Sequence, residues 1–567
     1  MRRRVLCFSI WDRSFRSRYE QAPCGVRRRE LRRNFQVAYV VQGAERRFAA
    51  GSGACSVVTY SAQAPLDHEG DSLSDHDPVG GVQYQAVDAE YFEKRLLRRH
   101  ARVWSLWALG VGAVISGDFF GWNFGLTAGG FGGLLVATVI ITVMYIGLCD
   151  AISEMSPALP HTGGAYSFGR AALGPWGGFV TGLAENMEYV LTPAVIVVGI
   201  GGYLGAIFGT PDTLAPLWWA LAYMMFVGLN VWGVEISFRF TLIITFVALA
   251  ILIVFYIGAL QHFSWEHALN IEPQPGATAW LPRGWAGVAA ALPFAIWFYL
   301  AIEELPLAAE ESHDPQRDMP RGIMLGLLTL VVCAFLTLFL NAGIPPGAAE
   351  IGTSDEPLLL GFSTIFGQGI GTKFLAAMAV AGLVASFHTI IYAYGRNIYS
   401  LSRAGYFPRW LSVTSRTQTP HVALVVGALI GYAVALTIHF APQDNPVGAV
   451  LLNMAVFGAV IAYIMQMISF VLMRRRLPHI ERPYVSRLGI AGAVTAGGIA
   501  AVTLVFLFIN ADYRVGVYGC AMWFLAGLTY FAVYSRKTLV SSPEEAFAVR
   551  EIAKARSQAE EQVRRDD

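Results

Sequence analysis

Ile115-Ser116-Gly117-Asp118-Phe119-Phe120-Gly121 interrupts an apolar run that extends from Trp104 to Thr127. A carboxylate flanked by helix-weakening glycines stands where a membrane-spanning helix would carry hydrocarbon. An ionised Asp at the centre of such a helix costs about 2.5–3.5 kcal/mol on insertion scales. It therefore faces a protein interior or a watery cavity and marks an ion or substrate path. The run reads as a spanning helix with a binding site at its midpoint.

Working outward, the whole chain lives in the same solvent. Hydrophobic residues make up 55% of it and charged ones 14%, against roughly 45–50% and 25% in soluble proteins. An all-α integral membrane protein follows. Apolar stretches matching the roughly 20 residues a bilayer requires run over Trp104 to Thr127, Phe131 to Ser156, Gly177 to Ile207, Leu217 to Gly233, Phe240 to Leu260, Trp285 to Leu305, Gly322 to Asn341, Lys373 to Leu401, His421 to His439, Val447 to Met473, Ile490 to Ile509 and Val515 to Tyr534. That is about twelve spans. Net charge, at +1, says nothing about partners because the charges are segregated. Basic residues fill every second connection, as at Arg95 to Arg102, Arg317 with Arg321, and Arg474 to Arg487, while Thr210 to Pro216 and Ala342 to Gly361 carry almost none. Short basic loops stay cytoplasmic, so both termini are expected there, with the protein in the plasma (inner) membrane.

Three regions are expected. Residues 1–90 hold an Arg-studded stretch without a sustained apolar period and a Gly/Ser/Asp-rich segment, which predicts a disordered cytoplasmic extension rather than a nucleic-acid or lipid contact. Residues 91–537 form the transmembrane domain, with one repeat over about 104–260, a second over about 285–473 and peripheral helices over about 490–534. Residues 538–567 read as a charged cytoplasmic tail. The six cysteines, Cys7, Cys24, Cys55, Cys149, Cys333 and Cys520, show neither disulfide nor metal-ligand spacing. No metal and no cofactor is expected.

The sixth span is also interrupted. Ala295-Ile296-Trp297-Phe298-Tyr299-Leu300-Ala301-Ile302-Glu303-Glu304-Leu305-Pro306 packs aromatics, two acids and a proline into apolar surroundings. Spans one and six open two successive groups of five, and breaks at corresponding places point to a secondary transporter built from inverted repeats, with its site near the midplane. Close helix contact alone would explain Gly117, Gly121 and Gly125 and leave Asp118 unexplained. In the third span Glu185 and Glu188 lie three residues apart and share a helical face with Tyr189. Asp118, Glu185, Glu188 and Glu303 have few basic neighbours in the apolar runs, so some are protonated, hydrogen-bonded or matched by a bound cation. Such acids offer amine selectivity and a route for protons; Glu185, Glu188 and His388 are the candidates for a proton relay, with a histidine bonded to a neighbouring helix as the alternative for His388. Phe119, Phe120, Trp122, Trp297, Phe298 and Tyr299 can present ring faces to an ammonium and shut the cavity as a gate, with lipid-facing bulk as the alternative.

Three signatures resemble a known family. Glu154 to Tyr166, Glu311 to Arg321 and Gly395 to Pro408 are similar to conserved stretches of the amino acid, polyamine and organocation superfamily. Within it, Gly110 to Asn123 and Gly182 to Val190 look most like bacterial ethanolamine permeases. The resemblance implies two inverted five-helix repeats with discontinuous helices 1 and 6, two peripheral helices, and transport by alternating access. It also implies that the backbone at Ile115, Ser116 and Gly117 and the residues Trp297 to Glu303, Tyr299 and Ala301 among them, line the substrate cavity, with Trp297, at an aromatic position of the family's sixth helix, as the preferred gate.

A half-helix N-terminus suits an anion, but the Asp118 carboxylate beside it would repel a substrate carboxylate and attract an ammonium. The expected substrate is therefore a small amine, ethanolamine first, with an amino acid or polyamine as the alternative. Coupling to a proton is favoured over sodium, for which Ala385 and Ser386 offer only a loose oxygen pair. Symport and exchange stay open. The expected partners are the amine and membrane lipid, with no nucleic acid. Neither a nucleophile–base pair nor an H-E-x-x-H string is present, so an enzyme is not expected.

Overall fold

The computed structural model describes residues 81–550, apart from 355, 368–370, 441–446, 510–512 and 548, together with 553 and 557. The expectations for residues 1–80 lie outside the described residues.

Ten helices among the described residues are long and apolar enough to cross a bilayer. The first and sixth spans are not among them because each is cut. The first runs over Val103–Val114 and, past Ile115, over Ser116–Phe119. The sixth runs over Gly284–Ile296, loses helical form through residues 297–301, and resumes as a tighter 3₁₀ helix over Ile302–Glu311. With these two the expected twelve are reached. The second and third spans are longer than hydropathy marks them, Phe124–Ala158 and Ala165–Phe208, because Gly130 (φ 72°) and Gly174 (φ 82°) turn the chain within them. Only glycine takes such angles readily. Gly174 thus separates a short helix at the start of Ala165–Phe208 from the third span proper.

The remaining spans are Ala215–Trp232, Val234–Ala259, Pro315–Ala342, Gly371–Arg403, His421–Phe440, Val447–Arg476, Gly489–Ile509 and Arg514–Val533. Spans three and ten pack along each other, three also against eight, and two against six and seven. In the third and eighth spans 72% of the apolar window is buried, in the eleventh and twelfth only 28% and 17%. The last two therefore face lipid, as peripheral helices do, and the site must lie among the first ten.

At the basic end the folded unit reaches past the expected domain limits at 90 and 538. Strand β1 (Tyr84–Gln85) pairs in parallel with β2 (Leu539–Val540). Val82 and Leu539 are buried in a small apolar cluster with Tyr166, Leu401 and Tyr406. Two-residue strands are too short to leave a hydropathy signal, which is why the sequence reading assigns these segments to the N-terminal extension and the charged tail.

Candidate functional site

The two breaks meet. A Cβ at Gly117 would collide with the backbone carbonyl oxygen of Trp297, so only glycine permits the approach. The first break is held from the eighth span: the Ser116 amide donates to Ser386 Oγ (2.9 Å), and that hydroxyl donates to the Gly112 carbonyl (2.8 Å). One side chain thus satisfies a donor and an acceptor that an unbroken helix would have paired internally. Opposite, Ala301 sits at φ 82°, a left-handed conformation that costs an alanine about 1–2 kcal/mol. Strain of this kind persists where the surroundings over-determine it, and it concentrates at functional sites. The Trp297 ring covers Gly121 (φ 97°), its atoms 3.1–3.3 Å from where a Cβ would be. Trp122 stacks on Phe298 with centroids 5.5 Å apart.

The four acids expected at one site are all buried, but they divide into two groups. Asp118 turns toward the fifth and seventh spans. Its Oδ1 accepts from Thr337 Oγ1 (3.0 Å), and that hydroxyl is 2.7 Å from the Tyr256 hydroxyl. Its Oδ2 has no partner among the described residues. The glutamates lie on the other side of the sixth-span break, toward spans two, three and ten. Glu185 accepts long hydrogen bonds from Tyr189 and Asn397, both 3.4 Å, and Asn397 is braced by Asn186 at 3.0 Å. Glu188 and Glu303 bring their carboxyl groups together, with Tyr463 beside Glu303. Neither carboxyl makes a well-formed hydrogen bond, and neither does Glu304. The Tyr463 hydroxyl meets that of Tyr145 (2.9 Å), the Tyr145 ring lies 5.0 Å from the Tyr299 ring, and the Tyr299 hydroxyl meets Thr142 (2.7 Å).

No base compensates the glutamates. Among the described residues the buried arginines are committed elsewhere: Arg95 to Ser412, Arg170 to Glu545, Arg396 to Glu311, and Arg403 to Glu310 and Glu544. His388, the third proton-relay candidate, stands apart from the acids. Asn230 meets its Nδ1 (3.2 Å) and Ser237 its Nε2 (3.1 Å), so it ties spans four, five and eight together. Uncompensated carboxylates in so dry a place are costly, and the arrangement favours whatever proton or bound cation neutralises them.

Sequence reading missed Thr337, Tyr256, Tyr145 and Tyr463, which sit in plain apolar runs and enter only through packing. Ser386 had been weighed only as a sodium ligand; its hydroxyl is taken by the first break. Glu304 was visible beside Glu303 but carried no separate expectation.

At the basic end the site is closed. Glu311, ending the sixth span, pairs with Arg396 of the eighth at 2.9 Å and accepts from Tyr392 (2.7 Å), with neither charged side chain exposed. Arg396 also lies 3.6 Å over the Tyr392 ring. Two turns further along the eighth span, Arg403 grips Glu310 through two nitrogens at 2.5 and 3.0 Å. Two of the three sequence signatures, Glu311 to Arg321 and Gly395 to Pro408, thus contribute to one closure.

Comparison with known proteins agrees with this geometry. The family model for amino acid permeases matches residues 106–541. An uncharacterized transporter of Rhizobium meliloti is 29% identical over 67% of this chain and 80% of its own length. A branched-chain amino acid permease of Bacillus subtilis is 24% identical over 78% of this chain and 94% of its own. A probable GABA permease of Pseudomonas aeruginosa is 24% identical over 77% and 90%. With twelve spans, two abutting breaks and a family match over most of its length, this chain is a multi-pass membrane transporter and belongs to the amino acid permease family.

Proposed function

We propose that the protein moves a small substrate bearing a protonated amine by alternating access, with an amino acid as the first substrate class, and that the ammonium docks between Glu188 and Glu303. The observation that carries this reading is the facing pair of buried carboxyls with no base near them. A bound ammonium brings the missing charge and hydrogen-bond donors, and charge-assisted hydrogen bonds are the strong ones. When no substrate is bound, a proton shared by the pair does the same, which makes the proton the favoured coupling ion. The arginine-rich end faces the cytoplasm of a plasma membrane, in keeping with the basic loops.

Two observations move the preference from ethanolamine to an amino acid. Asp118 turns its carboxyl onto Thr337, which lessens the repulsion that a substrate carboxylate would meet at the first break. The relatives, moreover, are named for branched-chain amino acids and GABA. Ethanolamine keeps one observation in its favour, the unpartnered Asp118 Oδ2 one residue from Gly117. Purified protein in proteoliposomes decides between them. Labelled neutral amino acids, GABA and ethanolamine are offered in turn, each competed by the others. Saturable amino acid uptake that ethanolamine does not block is expected; saturable ethanolamine uptake indifferent to every amino acid overturns the assignment.

Asp118→Asn separates the two further. The amide oxygen can still accept from Thr337, so insertion should be normal while the charge is gone. Ethanolamine uptake, if present in the wild type, should fall about tenfold or more, the worth of a hydrogen bond to a charged group. Amino acid uptake should fall much less. Unchanged kinetics for both substrates would confine Asp118 to packing.

A further inference from the structure

The C-terminal segment after the twelfth span is bound into the closed end in an asymmetric way. Ser535 Oγ donates to the carbonyls of Gly405 (2.9 Å) and Tyr406 (2.7 Å), and the Val540 amide donates to the Ala404 carbonyl (2.9 Å). All three acceptors directly follow the eighth span. Glu545 is buried in a cage of donors: the hydroxyls of Tyr84 (2.6 Å), Tyr166 (3.0 Å) and Tyr406 (2.9 Å), and the Arg170 guanidinium. Arg170 and Tyr166 belong to the helix leading into the third span. These anchors fix Glu544 beside Arg403, and Arg403 Nη2 donates to Glu544 and Glu310 at once. Glu310, however, belongs to the sixth span.

We propose that Glu544 is a standby counter-ion that permits the basic end to open. Opening must draw the second half of the sixth span away from the eighth, and Glu310 leaves with it. Without Glu544, Arg403, only 3% exposed, would then keep the Tyr399 hydroxyl but no counter-ion, which is strongly destabilising for a buried charge. Glu544 moves with the eighth span and stays in contact, so Arg403 exchanges two acids for one. The tail thus lowers the cost of the open state relative to the closed one. A tail that merely latched the gate shut would do the opposite.

The test requires no transported substrate, so it stands independently of the substrate assignment. Ser400 is buried between Arg396 and Arg403 on the eighth span, against the turn at Gly163. In the full chain, with the native cysteines replaced, Ser400→Cys reports opening through its rate of modification by a charged thiol reagent. Glu544→Gln should slow modification at least about fivefold, since the open state then leaves Arg403 unpaired. Glu310→Gln should accelerate it, because the pair broken on opening is already gone. A rate in Glu544→Gln equal to or faster than the parent overturns the proposal. If Glu544→Gln does not insert, Glu544→Asp is measured in its place; slowing supports the proposal and the parent rate overturns it.

Discussion

Gly117→Ala is expected to abolish uptake while leaving a protein that still inserts. The added methyl would collide with the Trp297 carbonyl oxygen, and a backbone atom cannot rotate away as a side-chain end would. The two breaks must separate by about an ångström or more, and misplacement of that size costs a binding or reacting geometry about a hundredfold. Overpacking adds about 1–3 kcal/mol of lost stability, tolerable in a bundle of twelve spans. Gly202→Ala in the third span is the matched control. Nothing lies within 4 Å of its Cβ position, and alanine in a helix interior is about 0.5–1 kcal/mol better than glycine, so uptake should be normal and thermal stability equal or higher. Uptake by Gly117→Ala within twofold of the wild type would show that the contact between the breaks is not needed for transport.

The breaks themselves were legible because each violates the local pattern. Gly117, Asp118, Glu303 and Pro306 are the wrong residues for a lipid-spanning helix, and a violation can be read without knowing the neighbours. The same is true of the spans, which need only hydropathy, and of the lipid-facing position of the last two. What local pattern could not supply was partnership. Asp118 and Thr337 are 219 positions apart, and no periodicity connects them, so the four acids were grouped by type when packing sorts them to two sides of the sixth span. His388 looked chemically versatile in sequence, yet Asn230 and Ser237 occupy both ring nitrogens. The tail showed the converse error. Glu544 and Glu545 fall in what reads only as a charged tail, because nothing in sequence reveals that Arg170, Arg403 and three tyrosines wait for them.

Glu303→Gln is expected to cost transport and to spare or raise stability, a combination that packing alone does not produce. Gln matches Glu in size and cannot repel the Glu188 carboxyl facing it. Removing one of two uncompensated buried acids relieves a standing penalty, so the thermal midpoint of the purified protein should not fall. Function should respond in the opposite sense. If Glu303 neutralises the substrate ammonium, the lost charge-assisted contact is worth about 1.5–3 kcal/mol, and KM should rise about ten- to a hundredfold at little-changed kcat. If the pair instead holds only the coupling proton, KM stays near the wild-type value; uptake no longer follows an imposed pH gradient, while exchange of internal for external substrate continues. Glu188→Gln should reproduce whichever pattern appears, because the two carboxyls act as one unit. Wild-type KM together with full pH-driven accumulation in both variants would remove the pair from the transport cycle and leave the first break as the sole place for substrate.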